Sequence, residues 1–203
     1  MTKVTCDMAV SVDGFTAGPN QSADKPFGDG PVERLTQWMF EQPEANKAER
    51  DAIVQAGAYI MGRHMFGPDR GEWDLDWHGW WGADPPYHAP VFVLGHRERE
   101  PLEMEGGTTF HFVTDGIEAA MERAKEAAGD RTVSIAGGAS TVQQYLRAGL
   151  IDELHLAIRP VLLGAGENLW NGLDMRALGY ECERSVAGER ATHVFLRKRE
   201  AGR

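Results

Sequence analysis

Apolar and polar positions alternate between two kinds of short run along this chain. Residues 3–11, KVTCDMAVS, form a β-type run that stops at Asp13-Gly14, and the stretch from there to Pro31 is rich in Gly, Pro, Asn and Ser, which predicts a strand followed by a long loop. From Val32 the spacing changes: Leu35, Trp38 and Met39 fall at i, i+3 and i+4 before Pro43 interrupts, so a helix is expected over 32–41. A second helical phase over 46–56 carries Ala52, Ile53 and Ala56, with Gly57 as its stop. Residues 58–62, AYIMG, then read as an apolar strand ending in glycine. Pro90 opens another over 91–94, closed by Gly95, and 108–113 reads as a third.

Residues 116–128 place Ile117, Ala120, Met121 and Ala124 along one helical face. A β run over 131–136 ends in Gly137-Gly138, and either Ser140 or Thr141 is expected to cap a helix that runs to about Ala148 before Gly149. Residues 151–158 follow as a strand, VLLG at 161–164 as a glycine loop, and 180–185 with 193–198 as a terminal hairpin. This order predicts an α/β fold of three layers, a mostly parallel sheet flanked by helices with a C-terminal antiparallel hairpin. No repeat or low-complexity tract divides the chain, so 1–203 is read as one domain.

One region fits neither pattern. Between Phe66 and Pro90 the chain sets Trp73, Trp77, Trp80 and Trp81 among Gly, Asp and Pro, which predicts a long structured loop. Three readings stay open for its aromatics: a wall that stacks on a flat heterocyclic ligand, packing within the loop itself, or a homodimer interface.

Charge narrows the functional classes. A formal net charge of -10 and a pI near 5.2 argue against nucleic-acid or membrane-surface partners, which call for a basic face. Neither Cys6 nor Cys182 lies in a metal-ligand or CxxC spacing, so no zinc site or disulfide framework is expected. No apolar stretch approaches the roughly 18 residues of a membrane span, and the N-terminus lacks a targeting pattern. A cytoplasmic protein acting on small molecules is the expectation.

The candidate chemistry lies at strand ends. Three strands finish in glycine followed by polar residues: Gly62-Arg63-His64, Leu94-Gly95-His96-Arg97 and Gly137-Gly138-Ala139-Ser140-Thr141. In an open α/β sheet the carboxyl ends of parallel strands line one crevice, so these turns should converge there. Glycine lets backbone approach a phosphate, and a helix start beyond it offers amide N–H groups. Two turns add Arg and His, which answer extra negative charge, and a guanidinium fork suits a phosphate.

AYIMGRHMFG at 58–67 and SIAGGASTVQQYLRAGLIDELHL at 134–156 resemble the strand, helix start and Gly-Gly turn of dihydrofolate reductases. MAVSVDGFTAGPN at 8–20 and VLLGAGENLW at 161–170 are similar to the reductase domain of bifunctional riboflavin-biosynthesis enzymes and its stand-alone relatives. The resemblance covers nearly the whole chain. It implies NADPH as cofactor, with Gly62, Arg63 and His64 at its phosphates, Gly95, His96 and Arg97 by the adenosine 2′-phosphate, and Gly137 to Thr141 around the pyrophosphate. It also implies that the backbone at Ala9 bonds the nicotinamide carboxamide, that the 15–30 loop closes over the nicotinamide, and that two chains pair as a homodimer.

The same resemblance implies hydride transfer to a small planar heterocycle, pterin-like or ribosylaminopyrimidine-like. The chain departs from dihydrofolate reductases where their acidic residue lies three positions before a tryptophan: against Trp38 that position is Leu35. The replacement expected is Asp7, since a carboxylate inside the first strand is unfavourable to bury without a role, with Asp13 at the strand end as second candidate. Asp7 also admits a structural reading, a carboxylate hydrogen-bonded to its neighbours. No zinc-deaminase signature accompanies the reductase motifs. A non-catalytic dinucleotide- or flavin-binding module is the alternative.

Overall fold

The computed structural model describes residues 2–41, 43–68 and 70–199. β1 (Val4–Ser11) alternates between full burial and partial exposure over most of its length, the period of two that a strand imposes. Cys6, Met8 and Val10 enter an apolar core under two helices, α4 (Gly116–Ala128) and α5 (Ala139–Arg147). Thr5, Asp7 and Ala9 therefore point to the opposite face.

β7 (Val133–Gly137) and β8 (Glu153–Arg159) flank β1, and beyond β7 come β3 (Ala58–Gly62), β4 (Pro90–Leu94) and β6 (Thr109–Val113), all parallel. β3 is buried at every position, which explains its continuous apolar run: both of its faces are covered, and the single turn α3 (Arg63–Phe66) follows it directly. Pairing turns antiparallel at the two margins. There β5 (Leu102–Glu103) joins β6, and the hairpin of β10 (Tyr180–Ala187) and β11 (Thr192–Lys198) joins β8. The order is β10-β11-β8-β1-β7-β3-β4-β6-β5, the mostly parallel sheet with a C-terminal hairpin that the pattern predicts. A separate short ladder of β2 (Phe15–Ala17) and β9 (Glu167–Asn168) ties the loop after β1 to the glycine loop after β8.

The helix expected over 32–41 is broken in two. Val32–Leu35 forms a 3-10 turn and α1 (Trp38–Glu41) a single α turn. The carbonyl of Arg34, which a continuous helix would offer to Trp38 N–H, instead accepts Nε of the buried Arg159 at 2.7 Å. Leu35 and Trp38 are both almost fully buried, so their spacing reported a covered face without requiring unbroken helix. α2 (Lys47–Ile53) is shorter than the 46–56 phase, and Asn46 stands at its N-terminal cap position without a capping side-chain bond. α5 starts at Ala139 after Gly138, one or two residues before the expected hydroxyl cap. Thr141 is unavailable as a cap because it is buried beneath Gly62.

Connections leave the sheet on opposite faces at one place. After β1 the chain passes over the face that carries Asp7, where Trp38 and Ile53 pack on Ala157 of β8. After β7 it passes through α5 on the other face. β1 and β7 are adjacent and parallel, so the topological switch point, the usual ligand crevice of an open α/β sheet, lies between their carboxyl ends.

Candidate functional site

β3 lies between β7 and β4, and its register sets Met61 beside Gly137 and Gly62 beside Leu94. Gly62, Leu94, Gly95, Gly137 and Gly138 are therefore brought to one edge of the sheet on three neighbouring strands, as their sequence positions suggest. A Cβ at Gly62 would stand 2.3 Å from Thr141 Oγ1, so the absent side chain is what lets the first turn of α5 close onto β3. Gly137 has φ of +125° and a cis bond to Gly138, a backbone region that side chains disfavour. Beyond Gly138, a Cβ would meet no described atom within 4 Å: this corner faces open space. The ladder of α5 begins with Val142 N–H to the Gly138 carbonyl at 3.1 Å, which leaves the amides of Ala139, Ser140 and Thr141 ahead of the first intrahelical bond.

The cations expected at this rim are already engaged. Arg63 stacks its guanidinium 3.9 Å from the centre of the Trp73 ring and donates through Nη2 to the Glu72 carbonyl at 2.9 Å. Arg97 forms an ion pair with Glu72, and its carbonyl accepts Trp73 Nε1–H at 3.0 Å. His64 and His96 are exposed. Trp73 thus lies across the Gly95 corner. The rest of its loop turns inward onto the sheet: Trp73 and Trp81 pack against Phe112 and Phe110, and Trp77 donates to the Phe66 carbonyl at 2.8 Å while packing edge-on against Trp80. The rings cover the β3–β4–β6 half of the face, with Ala136 of β7 packed at the margin of that cluster, and the strip along β1 lies beyond it.

Asp7 stands on that strip with its side chain 14% exposed. Its Oδ1 lies 2.9 Å from His155 Nδ1, His155 Nε2 lies 2.9 Å from His193 Nδ1, and His193 Nε2 lies 3.0 Å from Asn46 Oδ1. Asn46 Nδ2 completes the row by donating to the Trp38 carbonyl at 3.1 Å. Burial, reinforced by the neighbouring His155, pushes the His193 imidazole below its ordinary pKa. The adjacent Cys6 thiol is pushed well up by burial and then by Asp7, so it stays neutral. Ala9, in register with Ala157, lies two residues along the same strip.

The histidines and Asn46 escaped the sequence reading, yet a signal was there. His155 and His193 lie inside the strand runs ELHLAIR and THVFLRK, where a polar residue that becomes buried needs a partner. Their partners are 148 and 38 residues away in sequence, so spacing could not pair them.

Asp13 follows directly on the end of β1, in the turn that Gly14 N–H closes onto the Ser11 carbonyl at 2.9 Å. Its carboxylate accepts Ser11 Oγ–H at 2.6 Å, Leu163 N–H at 3.1 Å and Gly164 N–H at 2.7 Å. The Ser11 bond first, with help from the two amides, holds its pKa below the usual carboxylate value. Through these bonds it clamps the loop after β8 onto the end of β1. The 15–30 loop is likewise tied, with Gly18 N–H to the Phe27 carbonyl at 2.8 Å and Asp29 N–H to the Pro19 carbonyl at 2.7 Å. At the position of the dihydrofolate reductase carboxylate, Leu35 is fully buried. Among the described residues no cluster of His, Cys, Asp and Glu could hold a metal ion, and no helix is long and apolar enough to cross a membrane.

Known proteins of the same build complete the picture. The family model of the RibD C-terminal domain matches residues 2–194. The uncharacterized protein YyaP of Bacillus subtilis is 26% identical over 184 residues, covering 86% of this chain and 83% of that protein. Among solved structures, a putative riboflavin biosynthesis protein from Shewanella sp. PV-4 superposes with a TM-score of 0.63 at 22% identity, over 98% of this chain and all of the other. The diaminohydroxyphosphoribosylaminopyrimidine deaminase/5-amino-6-(5-phosphoribosylamino)uracil reductase of Thermotoga maritima gives 0.61 at 15% identity, over 97% of this chain and 56% of that one. Dihydrofolate reductase from Enterococcus faecalis, complexed with NADP(H), gives 0.58 at 12% identity, over 98% and 97%. With a family match that runs over almost its entire length, the chain belongs to the RibD C-terminal domain family.

Proposed function

We propose that this chain is an NADPH-dependent reductase of a small planar heterocycle, of the pterin or ribosylated aminopyrimidine kind. The observation that carries this reading is the meeting of two features at the switch point. Met8, next to Asp7 on β1, sets its sulfur 3.6 Å from where a Cβ of Gly137 would stand. The strand bearing the carboxylate therefore runs beside the Gly-Gly corner. Support comes also from two structural neighbours, one named as a reductase of a phosphoribosylaminouracil and one held with NADP(H).

The residues fit the cofactor. Open space over Gly138 and the leading amides of α5 suit a pyrophosphate, Arg63 and His64 suit the cofactor's phosphates, and His96 and Arg97 suit a 2′-phosphate at the Gly95 end. When bound, NADPH supplies the hydride. The chain's own part is to orient and to protonate: the Ala9 backbone is positioned for a carboxamide, and Asp7 is the group that hands a proton to the substrate nitrogen. Leu35 removes the folate-type acid, which favours a substrate other than dihydrofolate.

The test is addition of NADPH followed by a heterocycle panel. Quenching of tryptophan fluorescence by NADPH and loss of reduced-nicotinamide absorbance with one panel member are expected. Asp7→Asn should lower that turnover at least about tenfold with NADPH affinity little changed. Binding without any oxidation would leave a nucleotide-binding module, and comparable turnover in the variant would remove Asp7 from the reaction. Pairing as a homodimer belongs to the same proposal and is read by light scattering.

A further inference from the structure

The direction of hydrogen bonding from Trp38 to Asp7 is fixed at its far end. A backbone carbonyl only accepts, so the Asn46 atom 3.1 Å from the Trp38 carbonyl is the amide nitrogen, and Oδ1 faces His193. An amide oxygen also only accepts, so His193 Nε2 carries a hydrogen. A neutral His193 then presents a lone pair at Nδ1, and His155 Nε2 must carry the hydrogen that joins the two rings. A neutral His155 in that tautomer presents a lone pair to Asp7. This last contact is a hydrogen bond only if one more proton lies between them.

That extra proton has three resting places, the Asp7 carboxyl, the His155 ring and the His193 ring, and the number of protons is the same in each. With it removed, one contact of 2.9 Å along the row sets two acceptors face to face, a mismatch that burial makes costly. We infer that Asp7, His155 and His193 hold one dissociable proton in common and that this is the proton delivered at the cleft, His155 and His193 being positioning residues. The delivery half rests on the reductase reading.

The surroundings decide where the proton rests. Arg184, stacked on Phe195, and Arg159 both repel positive charge from His193, Glu49 attracts it, and burial outweighs them all. Phe195 lies flat on His155 at 4.6 Å, and Trp38 meets His193 edge-on at 5.0 Å. Tyr59 and Cys6 near Asp7 are kept neutral, with pKa values raised by burial. Positive charge is thus disfavoured on the His193 ring. In the reaction the Asp7 O–H bond breaks and a substrate N–H forms, while the hydride brings its electron pair to carbon. The unit, now one proton short, takes one back from solvent.

The test is a titration of the full chain without ligand, followed by nitrogen NMR of the imidazole rings. His155 and His193 should change together in a single one-proton step, with His193 as the Nε2–H tautomer at high pH. In Asp7→Asn an amide N–H can meet His155 Nδ1, so the shared step should vanish, and His193→Gln should move the His155 step by at least about one pH unit. Two independent steps, unmoved by either variant, would overturn the shared proton. The delivery half is read separately: if the chain oxidises NADPH, the alkaline limb of the rate profile should shift in His193→Gln by about one unit, a factor of about ten in rate. An unmoved limb would overturn delivery. A coupled step in a chain that neither binds nor oxidises NADPH would refute the reductase reading and leave the proton count standing.

Discussion

A methyl group at Gly62 has nowhere to go, because the Thr141 hydroxyl lies 2.3 Å from its position. Gly62→Ala should cost about 1–3 kcal/mol through overpacking, read as a lower urea midpoint, and Thr141→Ala in the same chain should restore much of it by removing the obstructing oxygen. Additive losses in that double variant would mean the contact is not the cause. Asp13 gives a second test. Its folded-state pKa lies below the ordinary 3.8, so the stability it lends is complete above that value and is lost as pH falls through the lower folded one. Asp13→Asn should therefore lower the melting temperature at neutral pH, and the gap from the unaltered chain should close in acid. A gap that persists at low pH would show that packing, not charge, is what the substitution disturbs.

Elements differ in how far the sequence discloses them. The β3 run AYIMG and the Gly137-Gly138 turn were legible because both depend on local rules: continuous apolar character for a strand covered on two faces, and glycine where backbone must bend sharply. The 32–41 helix was misread because its break comes from Arg159, 125 residues away, taking the Arg34 carbonyl. The Asp7–His155–His193–Asn46 row was hidden for the same reason, since four elements contribute one side chain each. The Trp loop combines both cases: its aromatic content announced a structured loop, but only tertiary contact shows Glu72 holding Arg97. That pair is exposed, so it contributes little stability, yet it occupies a cation that the proposed NADPH site would use. Glu72→Gln is expected to tighten NADPH binding a few-fold, with the gain shrinking in high salt. Weaker binding would show that Glu72 serves to orient the arginine.

At the scale of the whole molecule, acid should act through two imidazoles, the buried His193 and the half-buried His111, as well as through carboxylates. His193 and His111 are both pushed below the ordinary value of 6.5, mainly by burial, with His155 next for the first and Arg123 next for the second. When folded they bind fewer protons than the unfolded chain between that ordinary value and their lower folded ones, so stability must fall as pH drops through this window. Partial neutralisation of a chain with formal charge -10 acts the other way, by relieving repulsion, and salt separates the two effects. In high salt the repulsion is screened while the burial that lowers the two rings is much less affected. The urea midpoint should then decline from about pH 7 to about pH 5, and His193→Gln should flatten that decline while His111 retains its share. The hairpin that carries His193 is the last element of the described chain, so a flattened slope would also show that its docking onto β8 sets the acid limit of the fold; an unchanged slope would assign the acid response to the carboxylates.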